Sequence, residues 1–180
     1  MRLFISIPLS PETVEKLTQT QVILRDAGVT GNYVPAKNLH ITLAFLGEVP
    51  TAKPVLSVLQ REEIPASALA FTRMGRIRDI LTADFRADPA LFDYVRRLRQ
   101  TLENAGISFD HKPFRPHVTL VRRAVLPDGR TDEAWSAALS GCASPVERVC
   151  LMRTDFEDRR ANYTVMGSFC PANAGNEKKD

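Results

Sequence analysis

Apolar residues recur at helical spacing in two stretches of this chain. Each stretch places its apolar residues on one face, and the members are Val14, Leu17 and Leu24 in the first and Leu91, Val95, Leu98 and Leu102 in the second. A helix with one apolar face must bury that face against other elements. The pattern therefore predicts two amphipathic helices that pack on a shared core.

The ends of the two helices repeat as well. Ser10-Pro11 and Asp88-Pro89 each place an N-capping residue before a proline, which is favoured at the first helical position. Ala27-Gly28 and Ala105-Gly106 each end in a glycine that can take the left-handed conformation after a helix. Proline and glycine are equally far apart in both copies, which indicates an internal duplication.

Strand-like runs alternate with helical ones around these two helices. The predicted strands include residues 3–7, 67–72, 79–85, 147–154 and 162–169, and further helical stretches lie near 51–61 and 131–139. The order is β-α-β-α-β twice, over about residues 2–72 and 79–154, with one strand left over. We predict a single bilobal domain over residues 1–170, with a ligand cleft between the lobes. The polar residues 171–180 are expected to form a flexible tail.

A four-residue motif occurs once in each unit. His40-Ile41-Thr42-Leu43 is matched by His117-Val118-Thr119-Leu120, although the chain has only three histidines. Side chains alternate between the faces of a strand, so each histidine shares a face with its threonine while the apolar residues point into a core. Two such pairs would face each other across a pseudo-two-fold axis.

Two facing imidazoles suit in-line displacement at phosphorus. One can accept a proton from the nucleophile while the other donates a proton to the leaving oxygen, and neither step requires a metal. Threonine hydroxyls can donate hydrogen bonds to the phosphate oxygens, and Arg115 or Arg122 could add positive charge. From the motif alone, the sequence does not decide which histidine is the acid and which the base.

Other interpretations of the motif are weaker. A single His-x-Thr is more often a structural strand residue than a catalyst, but duplication of a core does not require retention of histidine in both copies. A metal site is disfavoured because neither motif has further ligands at suitable spacing, so we predict no metal and no cofactor. The third histidine, His111, has no partner in the repeat, and a surface role or a modest ligand contact is expected for it.

Composition indicates in which cellular compartment and on which kind of ligand this chemistry is expected. The chain has 180 residues, 44% of them hydrophobic, without an apolar run of the roughly 20 residues that a transmembrane helix needs. The N-terminus is too short and too soon interrupted for a signal peptide, and Cys142, Cys150 and Cys170 form no disulfide pattern. A cytoplasmic protein that does not bind membranes is therefore expected. The net charge is +3, with arginines clustered at the second motif, which suits a ligand that carries phosphate.

The two motif blocks together resemble the 2H phosphoesterase superfamily, and within it the bacterial and archaeal RNA 2′,3′-cyclic phosphodiesterases, historically called 2′-5′ RNA ligases. The matching segments are residues 2–7, 38–49, 114–122 and 163–166. The resemblance implies a bilobal α+β fold with antiparallel sheets, helices outside and the active site between the lobes. It also implies His40 as proton donor, His117 as proton acceptor, and Thr42 and Thr119 as phosphate ligands.

The implied reaction opens a 2′,3′-cyclic phosphate at an RNA end to a 2′-phosphomonoester, without a metal and without a protein partner. Near Gly75 the family often carries an aromatic residue for base stacking where this chain has Arg76 and Ile77. Phe114, or as a second choice Phe45, could substitute for it. Two other functions stay open. One is 2′-5′ RNA ligation or hydrolysis of another cyclic or 2′-5′ phosphoester; the other is RNA binding without catalysis, which needs no titrating pair.

Overall fold

The computed structural model describes residues 1–127, 135–157 and 160–171 of the chain. Its α-helices are α1 (Pro11–Asp26), α2 (Lys53–Arg61) and α3 (Pro89–Asn104). Its strands are β1 (Arg2–Pro8), β2 (Thr30–Tyr33), β3 (His40–Glu48), β4 (Ala68–Ile77), β5 (Ile80–Ala87), β6 (His117–Val125), β7 (Ala143–Pro145), β8 (Val149–Glu157) and β9 (Arg160–Phe169). The predicted α+β class is confirmed.

The duplicated helix ends form as their sequences predict. The Ser10 hydroxyl accepts a hydrogen bond from the Thr13 backbone N–H at 3.3 Å, and the Asp88 carboxylate accepts one from the Leu91 N–H at 3.0 Å. Each cap satisfies a backbone donor that the first helical turn leaves without a partner. After the helices, Gly28 has a φ of +87° and Gly106 a φ of +70°, which side chains with a Cβ rarely adopt.

The second predicted helix of each unit forms in the first unit and is only partly described in the second. The first one is α2, close to the predicted bounds. In the second, residues 131–134 lie outside the described part, and the described end is a 3-10 turn at Ala137–Leu139. Residues 172–180 of the predicted tail also lie outside the described part.

Within the described residues, nine strands form one curled antiparallel sheet, so the two predicted sheets are its halves. The order is β7-β4-β5-β6-β3-β1-β8-β9, and β2 pairs with β6. β3 and β6 meet at the centre of the sheet. On one side, β3 is followed by β1 and then β8; on the other side, β6 is followed by β5 and then β4, so the two halves have equivalent strands in equivalent places. The last strand of each unit therefore lies in the half built by the other unit. Because of this exchange, neither unit completes its half alone.

One face of the sheet forms the core and the other remains open for a site. Ile41 and Leu43 on β3, with Val118 and Leu120 on β6, are fully buried and belong to the same core as the apolar faces of α1 and α3. The histidines and threonines between them point to the opposite face. Among the described residues, no helix is long and apolar enough to span a membrane.

Candidate active site

The site is built around the one residue pair that joins the halves of the sheet. β3 and β6 pair at Ile41 and Val118 only. Both side chains face the core, so the residues on either side of this pair lie together on the other face. Those residues are His40, Thr42, His117 and Thr119. The structure thus brings the four predicted catalytic side chains to one place.

Both imidazoles are oriented in the same way. His40 Nδ1 lies 2.7 Å from the Asn38 carbonyl oxygen, and His117 Nδ1 lies 2.7 Å from the Arg115 carbonyl oxygen. A carbonyl can only accept, so Nδ1 carries the proton in each ring and the neutral imidazole has its lone pair on Nε2. In each motif the carbonyl belongs to the residue two positions before the histidine. Each ring therefore offers Nε2 for proton transfer.

His40 has an aromatic surrounding that the sequence interpretation did not include. Its ring centroid lies 4.9 Å from that of Phe4 and 5.4 Å from that of Tyr163. Burial lowers the pKa of His40 from 6.5 to about 4; the hydrogen bond to Asn38 opposes this shift, and the charges of Arg122 and His117 add to it. His40 is therefore neutral at pH 7 in the protein without substrate.

The threonines differ in their immediate contacts. Thr42 Oγ1 lies 3.2 Å from His40 Nε2, so its hydroxyl can donate to the neutral ring. Thr119 lies opposite Thr82 of β5 in the sheet register. Both motif threonines are half-buried, which leaves their hydroxyls accessible to a bound anion.

The predicted substrate-binding residues surround this centre. Arg115 and Arg122 are exposed, and Arg122 acts electrostatically on His40, the histidine of the other motif. Phe114 packs edge-on against Phe92 of α3, with ring centroids 5.4 Å apart. Phe114 and Arg115 line a cleft of about 260 Å³ that begins at His117.

The cleft contains an acidic residue that the sequence analysis missed. Asp84 of β5 lies opposite His117 in the register, so their side chains share a face. Its carboxylate accepts a hydrogen bond from the Thr82 hydroxyl at 2.7 Å and lies 3.7 Å from Arg73 Nε. The period of β5 places Asp84 on that face, but only the register with β6 reveals that it is next to His117.

Two helix residues brace the motif strands where β3 and β6 diverge. Gln21 of α1 donates from Nε2 to the Leu120 carbonyl at 3.0 Å and to the Val34 carbonyl at 2.8 Å. Arg99 of α3 donates to the Leu43 carbonyl from Nε at 3.1 Å and Nη2 at 2.8 Å, and from Nη1 to the Lys112 carbonyl at 2.8 Å. α1 of the first unit thus binds the motif leucine of the second unit and the segment before its own motif. α3 of the second unit does the same for the first unit's leucine and the segment before the second motif.

The sequence carried a signal for these braces that the helical pattern alone did not expose. Gln21 and Arg99 each lie ten residues after the proline that opens their helix. Both are polar residues on amphipathic helices; Gln21 is only 3% exposed and Arg99 is half-buried. Buried polar groups in folded proteins almost always have hydrogen-bond partners. The shared spacing from the proline marks Gln21 and Arg99 as equivalent positions, but their hydrogen bonds are seen only in the fold.

Known proteins share both the sequence pattern and the fold. The family model described as LigT-like phosphoesterase matches residues 7–82 and 86–159. An Escherichia coli protein named RNA 2′,3′-cyclic phosphodiesterase is 34% identical over 175 residues, covering 92% of this chain and 93% of that protein. A Geobacillus stearothermophilus protein of the same name is 27% identical over 92% of this chain, which spans only 56% of that longer protein.

Solved structures agree with this relationship. A crystal structure of E. coli LigT without ligand superposes with a TM-score of 0.75 at 29% identity, covering 94% of this chain and 96% of that one. E. coli LigT complexed with 3′-AMP gives a TM-score of 0.73 at 28% identity, covering 95% and 97%. The family match covers most of the chain and includes both histidine motifs. The chain therefore belongs to the LigT-like phosphoesterase family.

Proposed function

We propose that this protein hydrolyses 2′,3′-cyclic phosphates at RNA ends to 2′-phosphomonoesters, without a metal, and that it does so in the cytoplasm. The observation that carries the proposal is the placement of His40 and His117 on one face, around the single residue pair that joins β3 and β6. The names of the curated relatives support the substrate class.

The two imidazoles divide the proton transfers of an in-line displacement. Water attacks phosphorus and gives a proton to Nε2 of His117, while Nε2 of His40 gives a proton to the leaving 3′-oxygen. The bond from phosphorus to that oxygen breaks and a bond to the water oxygen forms, which leaves the phosphate on the 2′-oxygen. Hydrogen bonds at Nδ1 keep Nε2 of each ring available, so that His117 accepts there as the neutral imidazole and His40 donates there as the imidazolium.

His40 must gain a proton before it can donate one. With a pKa of about 4 it is neutral in the free protein. A bound phosphodiester anion beside the ring stabilises the imidazolium and raises this pKa. The aromatic rings of Phe4 and Tyr163 keep the charged form poorly solvated, so it transfers its proton readily once the leaving oxygen develops charge.

Neighbouring polar groups hold the phosphate. The hydroxyls of Thr42 and Thr119 share the face of the histidines and can donate to the oxygens that do not bridge to ribose. Arg115 and Arg122 supply positive charge at the rim of the site. Hydrogen bonds and charges placed before the reaction stabilise the transition state without a cost of reorganisation.

Cleavage of nucleoside 2′,3′-cyclic phosphates in the presence of EDTA tests this function. We expect turnover to the 2′-monophosphate by the native chain, and loss of at least about 10²-fold in His40→Ala and in His117→Ala. His111→Ala is the matched control, because that imidazole is exposed and contacts Glu103 instead. Loss of activity in EDTA with recovery on adding a divalent metal would contradict the metal-independent mechanism.

The roles of the two histidines can be separated chemically. A cyclic phosphate with sulfur at the 3′ position releases a thiolate, which needs far less protonation than an alkoxide. His40→Ala should therefore recover much of its loss on this substrate, whereas His117→Ala should not. Recovery in His117→Ala alone would reverse the assignment.

The remaining functions are distinguished by substrate and product. Joining of 2′-5′ RNA ends is the reverse displacement and would use the same two histidines, as would hydrolysis of other cyclic or 2′-5′ phosphoesters. Comparison of kcat/KM across these substrates decides which is preferred. RNA binding that is strong and salt-sensitive but without turnover of any of them would favour a binding module.

A further inference from the structure

We propose that Asp84 and Arg73 form a base-recognition subsite that selects guanosine 2′,3′-cyclic phosphate ends. The inference rests on the proposed function, since it concerns the base attached to the phosphate held by the histidines. The subsite is the cleft of about 260 Å³ that begins at His117. Its lining includes Arg73, Asp84, Phe92, Phe114 and Arg115.

The position of Asp84 is unusual for a site that binds an anion. It lies directly opposite His117 on the same face of the sheet, and its side chain is only 16% exposed. A carboxylate here repels phosphate, and no step of the proposed reaction uses it. A carboxylate that is largely buried must be compensated by hydrogen bonds or opposite charge. The Thr82 hydroxyl and Arg73 provide part of this compensation.

The carboxylate is held in place from several sides. The Thr82 hydroxyl donates to Oδ1 at 2.7 Å. Gly75 of β4 lies against the carboxylate so closely that a Cβ at that position would overlap it. An ionised carboxylate has about four lone-pair sites, so acceptor capacity remains on both oxygens. Asp84 lines the cleft, so a base bound there meets a carboxylate whose position is fixed.

Guanine matches this arrangement better than the other bases. Its Watson–Crick edge carries two adjacent donors, N1–H and N2–H, followed by the O6 acceptor. Two parallel donors suit the two oxygens of one carboxylate. Arg73 lies beside the carboxylate, 3.7 Å from Oδ2, and its exposed guanidinium can donate to O6.

Each of the other bases places an acceptor against the carboxylate. Adenine and cytosine have one amino donor next to a ring nitrogen lone pair, and uracil has one N–H between two carbonyls. These lone pairs would face a carboxylate oxygen without a proton between them. A site built to accept two hydrogen bonds rejects ligands that leave its polar groups unpaired.

The walls of the cleft can accommodate a base of this kind. Phe114 is partly exposed and its ring meets that of Phe92 edge-on, which gives the cleft an apolar side. Exposed Arg73 and Arg115 flank the same space. A base can stack on the aromatic side while its polar edge meets Asp84.

Turnover of the 2′,3′-cyclic phosphates of guanosine, adenosine, cytidine and uridine by the full chain tests the inference. We expect kcat/KM for the guanosine substrate to exceed the others by about tenfold or more. Asp84→Asn keeps the size of the side chain but replaces one acceptor with a donor. It should lower kcat/KM for guanosine far more than for the other three, and so abolish the preference.

Two further variants exclude indirect effects. Gly75→Ala should displace the carboxylate and reduce the same preference, because its added Cβ would overlap Asp84. Glu15→Gln makes the same charge change on an exposed part of α1, away from the cleft, and should leave the preference intact. Equal turnover of all four substrates by the native chain, or an equal loss on all four in Asp84→Asn, would overturn the inference while leaving the proposed function standing. Failure to cleave any of them would contradict the proposed function itself.

Discussion

Gln21 and Arg99 occupy equivalent positions in the two repeats and brace the motif strands crosswise. Gln21 binds the carbonyl of Leu120, and Arg99 binds the carbonyl of Leu43. These are the fourth residues of the two histidine motifs. Since β3 and β6 share only one residue pair, the separation of the two histidines depends on such contacts beyond the ladder.

Removal of a brace should lower kcat. Arg99→Met keeps the apolar stem but loses three hydrogen bonds to the Leu43 and Lys112 carbonyls. We expect a stability loss of about 1.5–3 kcal/mol, because the donor is charged and the carbonyls lose their partner. We also expect a decrease in kcat approaching about 10²-fold, since small displacements of catalytic groups are costly.

The measurements are steady-state kinetics and thermal unfolding. Arg97→Met is the matched control, because Arg97 lies on the same helix but makes one long, exposed hydrogen bond, to the Glu63 carbonyl at 3.3 Å. A loss of stability in Arg99→Met with kcat unchanged, at a temperature where the variant is folded, would show that the brace does not position the histidines.

Stability should fall on mild acidification because of His40. Its pKa is about 4 in the folded protein and 6.5 in the unfolded reference, so the unfolded chain binds more protons between these values. Stability therefore decreases as the pH falls from 6.5 to about 4, by up to about 3 kcal/mol from this one group. Urea unfolding at pH 7.5 and pH 4.5 measures it. His40→Gln should show a smaller decrease, and an equal decrease in both proteins would exclude His40 as a source.

The aromatic surrounding should control the titration of His40. Tyr163→Ala removes one of the two rings that shield the imidazole and admits water. We expect the pKa of His40 to rise from about 4 toward 6.5, because burial is its largest cause. Titration by NMR of the imidazole resonances measures this. Tyr33→Ala is the control, since Tyr33 packs against Arg25, 4.0 Å from its ring centroid, and not against His40. Equal values in native protein and Tyr163→Ala would be inconsistent with shielding by this ring.

The Thr42 hydroxyl should be required and its methyl group dispensable. Thr42→Val keeps the shape but removes the hydroxyl that lies 3.2 Å from His40 Nε2 and faces the proposed phosphate position. We expect kcat to fall by about 10²–10³-fold, as for loss of one oxyanion donor. Thr42→Ser should keep most of the activity. If serine and valine were equally impaired, packing rather than hydrogen bonding would explain the loss.

Much of the local structure followed from the sequence for physical reasons that act over a few residues. Ser10 and Asp88 cap helices because their side chains accept from the N–H groups three residues later. Gly28 and Gly106 end them because a left-handed residue is needed there. Strand alternation likewise predicted that each histidine shares a face with its threonine.

Contacts between distant residues required the folded chain. Neither the pairing of Ile41 with Val118 nor that of His117 with Asp84 is encoded by a local pattern, because register depends on how whole strands pack. Tyr163 reaches His40 only because the last strand pairs with β8 in the half of the sheet that contains β1 and β3. The sequence pattern predicts that Tyr163 lies in a strand, but it does not predict that His40 is its neighbour.

The sequence by itself determined the α+β class, the repeated units, and the two histidine motifs that indicated phosphoester chemistry. These depend on periodicity, capping and the rarity of histidine in the chain, all of which can be recognised in the linear sequence. The tertiary structure decided that one sheet holds both motifs, that each unit completes the half of the other, and that aromatic rings bury His40. These depend on which strands lie side by side, and burial and pKa follow only from that arrangement.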